Sequence, residues 1–167
     1  MTAYRKNKKS QENSRAVGLD IALKVVSFVT GKEHLHYGYW EGLDVNLENL
    51  GKAQEAYTQH LFKYLPKQKI NKRLKILDIG GGSGQIAKYL IDLGHKVTIV
   101  IPSSILAEHA KKNTRGKAEI QPTTFEEYTP KENIKFDLCL YAESFQYIPV
   151  KIALQKATQL LNKNGEI

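Results

Sequence analysis

A chain of 167 residues and 18.9 kDa has room for one domain. Its 41% hydrophobic and 25% charged residues exclude a disordered or fibrous chain, and no apolar run approaches the ~20 residues of a membrane span. The formal charge is +8, from 25 Lys and Arg against 17 Asp and Glu, which admits an acidic partner. Much of that excess lies in residues 1–15, where Arg5, Lys6, Lys8, Lys9 and Arg15 face only Glu12, with no apolar periodicity. This reads as a flexible basic arm. A second basic cluster, Lys63 to Lys75, reads as a linker, and the absence of stacking or zinc signatures speaks against nucleic acid as a partner. The single cysteine, Cys139, excludes a disulfide framework, reads as core filler in an apolar run, and makes a reducing, cytoplasmic setting the expectation.

Val17, Ile21, Val25 and Phe28 recur at helical spacing and predict a helix over 16–29, closed by Gly31. The aromatic run from His34 to Gly42 is neither helical nor alternating and reads as a loop. Leu50, Ala53, Tyr57 and Leu61 mark a second helix from about Asn46 to Tyr64, stopped by Pro66. The period then changes. Residues 74–79 form a strand ending in a glycine cluster, 85–93 a helix capped by Gly94, and 96–101 a β-branched strand. Ser103 or Ser104 can cap a helix to Lys112. Residues 118–121 are a weak strand and 136–141 a stronger one, and Val150, Ala153, Leu154, Ala157 and Leu160 give an amphipathic helix ending near Gly165. The alternation predicts an α/β doubly wound parallel sheet behind two leading helices. It divides the chain into a 1–15 arm, a 16–72 helical cap with its aromatic loop, and a 73–167 ligand-binding domain. The sheet reads as truncated after the fourth strand, with an open edge for a homo-oligomer or partner chain to cover.

The most specific feature is Asp78-Ile79-Gly80-Gly81-Gly82-Ser83-Gly84-Gln85 between a strand and a helix. Glycines there let backbone approach a ligand, and the helix start presents free N–H groups to it. Gln85 breaks the dinucleotide pattern, and the Gly-Lys-Ser/Thr of a phosphate-binding loop is absent. Asp78, Gly80, Gly82 and Gly84 satisfy acid-x-Gly-x-Gly-x-Gly, which resembles the first motif of class I S-adenosylmethionine-dependent methyltransferases. The resemblance implies a Rossmann-like fold, with Asp78, Gly80, Gly81, Gly82, Gly84 and Gln85 holding the amino-acid end of S-adenosylmethionine.

His36-Tyr37-Gly38-Tyr39-Trp40 resembles an aromatic segment of small-molecule methyltransferases of the cyclopropane-fatty-acid-synthase, tocopherol and sarcosine types. That likeness implies Tyr39 and Trp40 at the cofactor, whose sulfonium suits aromatic faces, Tyr37 at the acceptor, and His36 as the base. Ala142-Glu143-Ser144 resembles the end of the family's fourth strand, which implies Ala142 and Glu143 at the cofactor and Ser144 at the substrate. Two positions depart from the pattern. Ile101, followed by Pro102, stands where the family carries an acid for the ribose hydroxyls, leaving Ser103 or Ser104 to supply a hydrogen bond. Gln121 to Phe125 lacks an Asp, leaving Phe125 to border the adenine. No Asn/Asp-Pro-Pro-Tyr/Phe tetrapeptide or metal-ligand pattern occurs. Two functions follow: methyl transfer to a small-molecule acceptor, with S-adenosylhomocysteine as product, or an inactive methyltransferase-like module acting through a partner.

Overall fold

The computed structural model describes residues 8–66, 72–131 and 134–167, with side chains at 8–16 left aside. Five strands alternate with helices: β1 (Lys75–Ile79), β2 (Lys96–Val100), β3 (Glu119–Gln121), β4 (Phe136–Leu140) and β5 (Leu161–Glu166). They form one sheet in the order β3-β2-β1-β4-β5, every pair parallel. The order reverses between β1 and β4, and the crevice outside the strand ends at such a switch point is where open α/β sheets take ligands. Helices α1 (Lys8–Thr30) and α2 (Leu47–Phe62) precede the sheet, while α3 (Gln85–Asp92), α4 (Ser104–Asn113) and α5 (Val150–Leu160) connect its strands.

Both sheet faces are covered, so β1 and β2 bury every residue after the first. Ile76, Val97, Ile99, Leu138 and Leu140 point into one core with Leu23 of α1, Leu90 of α3 and Leu106 of α4. Leu77, Ile79, Val100 and Cys139 point into the other, with Phe125, Tyr128, Ala157 and Leu160. Cys139 is core filler as expected, and burial pushes its thiol pKa up to about 12.

Three expectations need correcting. The helix expected over 16–29 starts at Lys8, so residues 8–15 are its first turns rather than an arm, and residues 1–7 lie outside the described residues. Lys, Gln, Glu and Arg are good helix formers even without an apolar face. Second, α1 buries Leu23, with Leu19 packed against the same core, while Val17, Ile21, Val25 and Phe28 face outward, Phe28 at 92% exposure. Two apolar stripes share one spacing, and α2 and α4 select the narrower. Third, the sheet continues past β4. Leu161–Glu166 adds as β5, Phe136 opposite Leu161 and Leu138 opposite Glu166, with a register irregularity between. Its Asn-Lys-Asn-Gly sequence reads as a turn because an exposed edge strand needs no apolar alternation.

Candidate active site

The β1–α3 loop sits at the switch point, and its glycines do different jobs. A Cβ on Gly81 would collide with the Asp78 carboxylate, so this glycine lets backbone lie directly over the acid. Gly84 instead lets α3 approach α4: a Cβ there would come within 2.8 Å of the Ala110 Cα. Asp78 is wholly buried, and neither carboxylate oxygen has a hydrogen-bond partner among the described residues. Burial alone raises its pKa to about 7.

In front of the loop opens a cavity of about 1020 Å³, large enough for a nucleoside-sized ligand and a small acceptor together. Gly80, Gly81, Gly82, Ser83 and Gln85 form its floor. Ile101 and Pro102 line the side beyond β2, with Phe125 and Glu126 beyond β3. Ala142, Glu143 and Ser144 close the end of β4, and His36 and Tyr37 overhang it from the aromatic loop. Twelve predicted site residues therefore share one wall.

Four do not. Asp78 lies beneath Gly81 rather than on the cavity surface, and Gly84 faces α4. Tyr39 stacks on His60 of α2 at 4.5 Å, its N–H donating to the Ala53 carbonyl at 2.8 Å. Trp40 donates from Nε1 to the Tyr37 carbonyl at 2.8 Å. Tyr39 thus braces the loop against α2 and Trp40 ties the loop to itself, and neither ring is on the cavity wall.

The structure adds residues that sequence reasoning missed. Gly18 and Leu19 of α1 reach the wall; the signal for Leu19 was the second apolar stripe. His34 also lines the cavity, two residues before His36, and the rings meet at 3.1 Å between His36 Nε2 and His34 Nδ1. Gln54 of α2 holds this segment from behind, donating to the carbonyls of His34 at 3.3 Å and His36 at 3.0 Å. Burial lowers the pKa of His34 to about 4 and of His36 to about 3, so both rings are neutral near pH 7.

Two latches hold the aromatic loop over the cavity. Glu143, a non-glycine residue at φ +60°, accepts the Tyr37 N–H at 3.1 Å. Such a backbone conformation costs on the order of 1 kcal/mol and commonly marks a functional position. On the other side the Glu33 carboxylate accepts from Asn113 Nδ2 at 2.6 Å and lies 3.1 Å from His109 Nδ1, both on α4. Asn113 also donates to the Ser83 carbonyl at 2.8 Å, while the Ser83 hydroxyl donates to the Glu33 carbonyl. The loop and the glycine turn are thus fastened together. Ser103, which lines the cavity next to Pro102, also caps α4 by accepting the Leu106 N–H at 3.3 Å. Among the described residues no three His, Cys, Asp or Glu side chains converge as a metal site, and no helix is long and apolar enough to cross a membrane.

The family described as a methyltransferase domain matches residues 77–167, more than half of the chain. A ubiquinone biosynthesis O-methyltransferase of Pelagibacter ubique (strain HTCC1062) is 31% identical over 109 residues, which cover 62% of this chain and 44% of that protein. The chain therefore spans less than half the length of that relative. Among solved structures, geranyl diphosphate C-methyltransferase of Streptomyces coelicolor A3(2) superposes with a TM-score of 0.69 at 15% identity, over 98% of this chain and 65% of that one. A putative sarcosine dimethylglycine methyltransferase of Galdieria sulphuraria gives 0.65 at 18% identity, over 86% and 56%. These two show the fold alone.

Proposed function

The chain belongs to the methyltransferase-domain family, and from that premise we propose that it transfers a methyl group from S-adenosylmethionine to a small-molecule acceptor. The observation that carries this reading is the orphaned Asp78 carboxylate directly under the glycine turn that floors the cavity. A buried, unpaired acid is costly unless a cation joins it. The cofactor's ammonium is such a cation, and the Gly81 backbone leaves no Cβ between them. The residues therefore fit the group: the glycine turn and Asp78 hold its amino-acid end, Ile101, Pro102 and Phe125 border its nucleoside, and Glu143 with Tyr37 faces the reacting centre. An inactive module is not favoured, because the acid, glycine turn and cavity are all in place.

When bound, the cofactor supplies a sulfonium-activated methyl group, so the protein needs no nucleophile of its own. What the chain contributes is position and dryness. The latched aromatic loop limits water entry, Ile101 and Phe125 exclude solvent from one side, and His36 offers a neutral ring where an acceptor proton can go. The Pelagibacter relative's name carries an O-methyl acceptor, and the histidines agree with an acceptor that loses a proton.

A melt of the full chain with and without S-adenosylhomocysteine tests this reading. At about 100 times the dissociation constant the ligand adds ~2.7 kcal/mol, and the midpoint rises by several degrees. An unchanged midpoint overturns the reading.

A further inference from the structure

We propose that the outward face of α1 is a self-pairing surface, on which a second copy of this chain docks with its own α1 running in the opposite direction. The inference stands apart from the methyltransferase chemistry and uses α1 rather than the β5 edge of the sheet. Val17, Ile21, Val25 and Phe28 recur every three or four residues, which keeps them on one side of the helix. They are 58%, 55%, 55% and 92% exposed, and Val29 extends the stripe. The inner side of α1 has its core contacts in Leu23 and Leu19, so the stripe adds nothing to the packing of its own chain. A contiguous exposed apolar face of this kind marks a docking surface.

Charge selects the occupant. Residues 1–15 carry Arg5, Lys6, Lys8, Lys9 and Arg15 against Glu12, whereas residues 41–48 carry Glu41, Asp44 and Glu48 with no Lys or Arg. The first stretch runs into the start of the stripe. The second leads into α2, whose Gly51 packs against Thr30 at the end of α1, so the acids belong to the opposite end. An antiparallel pair brings the basic end of each copy to the acidic end of the other about one two-fold axis. A parallel pair sets like charges together. An anionic membrane suits the basic end and is repelled at the acidic one. In the middle, Lys24 donates to Asp20 at 2.6 Å. Each precedes a stripe residue by one position, so the two share a flank, and in an antiparallel pair that flank faces itself. Each Lys24 therefore faces Asp20 of the second copy.

Size sets the strength. From Val17 to Val29 the stripe is ~20 Å long, and one helix face of that length buries less than the ~800 Å² per partner of a standard interface. Val45 and Leu47, 82% and 69% exposed, add apolar surface at the acidic end. Pairing is accordingly reversible and concentration-dependent. With the axis between Ile21 and Val25, each Ile21 meets Val25 of the second copy, and each Val17 meets its Phe28 and Val29. The inner side of the same helix brings Leu19 to the cavity wall, so pairing braces a helix that forms part of the site.

The test is sedimentation of the full chain from low to high micromolar concentration. The average mass rises from 18.9 kDa towards twice that value, and added salt opposes the rise because the ends are held by charge. Ile21→Glu and Val25→Lys each hold the mass at that of one chain, since each places an unpaired charge in an apolar contact. Both positions face outward, so the thermal melts of the variants at low concentration match that of the unmodified chain. Mixed in equal amounts, the two variants pair again, because the new acid of one meets the new base of the other across the axis. One-chain mass at every concentration overturns the proposal, as does a dimer that both substitutions leave intact or a mixture that stays unpaired. Binding of the one-chain species to phosphatidylglycerol vesicles, lost in Ile21→Glu, would assign the stripe to lipid and overturn self-pairing.

Discussion

Asp78 and Ile101 stand at the ends of neighbouring strands, and each breaks a simple expectation about charge. The Asp78 carboxyl is raised to about 7 by burial, well above its value in the unfolded chain, so the folded state holds a proton that the unfolded state has lost. Stability without ligand therefore falls as pH rises from about 4 to about 7, a slope that Asp78→Asn removes in melts across that range. The same variant loses the anion that would meet the cofactor's ammonium, and titration calorimetry should show S-adenosylhomocysteine binding at least tenfold more weakly. Ile101 gives the opposite case. It is 4% exposed and packs in the core that holds Ile99 and Leu106, and no acid replaces it on the β2 strand end. In Ile101→Glu the unliganded midpoint drops, because a carboxylate enters an apolar cluster. The ligand-induced rise grows, since hydrogen bonds to a charged group contribute ~1.5–3 kcal/mol. An unchanged ligand-induced rise would place the ribose away from Ile101.

Helices α3 and α4 show how one glycine motif mixes binding and packing. Gly84→Ala forces a Cβ to within 2.8 Å of the Ala110 backbone at φ +79°, a combination that costs roughly 1–3 kcal/mol in unfolding free energy. Gly82→Ala, at φ +55° with nothing within 4 Å, costs less, and denaturant melts of the two should separate them. A strand–glycine–helix pattern is legible in sequence because the turn demands it locally. Which glycine serves a ligand and which serves a neighbouring helix depends on α4, twenty or more residues away. The same limit explains α1. Val17, Ile21, Val25 and Phe28 keep helical spacing as well as Leu19 and Leu23 do, and only the partners α2 and α4 decide which face is buried. Leu23→Ala should accordingly cost about 2–4 kcal/mol of stability, with Ile21→Ala within about 1 kcal/mol of the unmodified chain.

At the scale of the whole molecule, the parallel, doubly wound sheet followed from alternation of period, whereas its strand order and the two latches joining the aromatic loop to the sheet did not. Glu33, Ser83 and Asn113 lie far apart in sequence, and no local spacing announces that Glu33 holds Asn113 through its carboxylate and Ser83 through its backbone carbonyl. The edge strand β5 was hidden for a related reason: parallel pairing to β4 satisfies its backbone while its side chains remain polar. The latches also make the roof of the cavity testable. Its roof is a short loop held by Tyr37 N–H on Glu143 at one side and by Glu33 on Asn113 at the other, so loss of either bond frees one side of the roof. Glu33→Gln weakens the α4 side by removing the negative charge while keeping an oxygen for Asn113. Hydrogen exchange of the amides at 34–38 should then speed several-fold, with the global melt nearly unchanged, because local opening has its own free energy. Binding of S-adenosylhomocysteine should slow the Tyr37 amide in the unmodified chain and less so in Glu33→Gln. An amide at Tyr37 that exchanges equally fast in both would show that the Glu143 side alone holds the loop at that point.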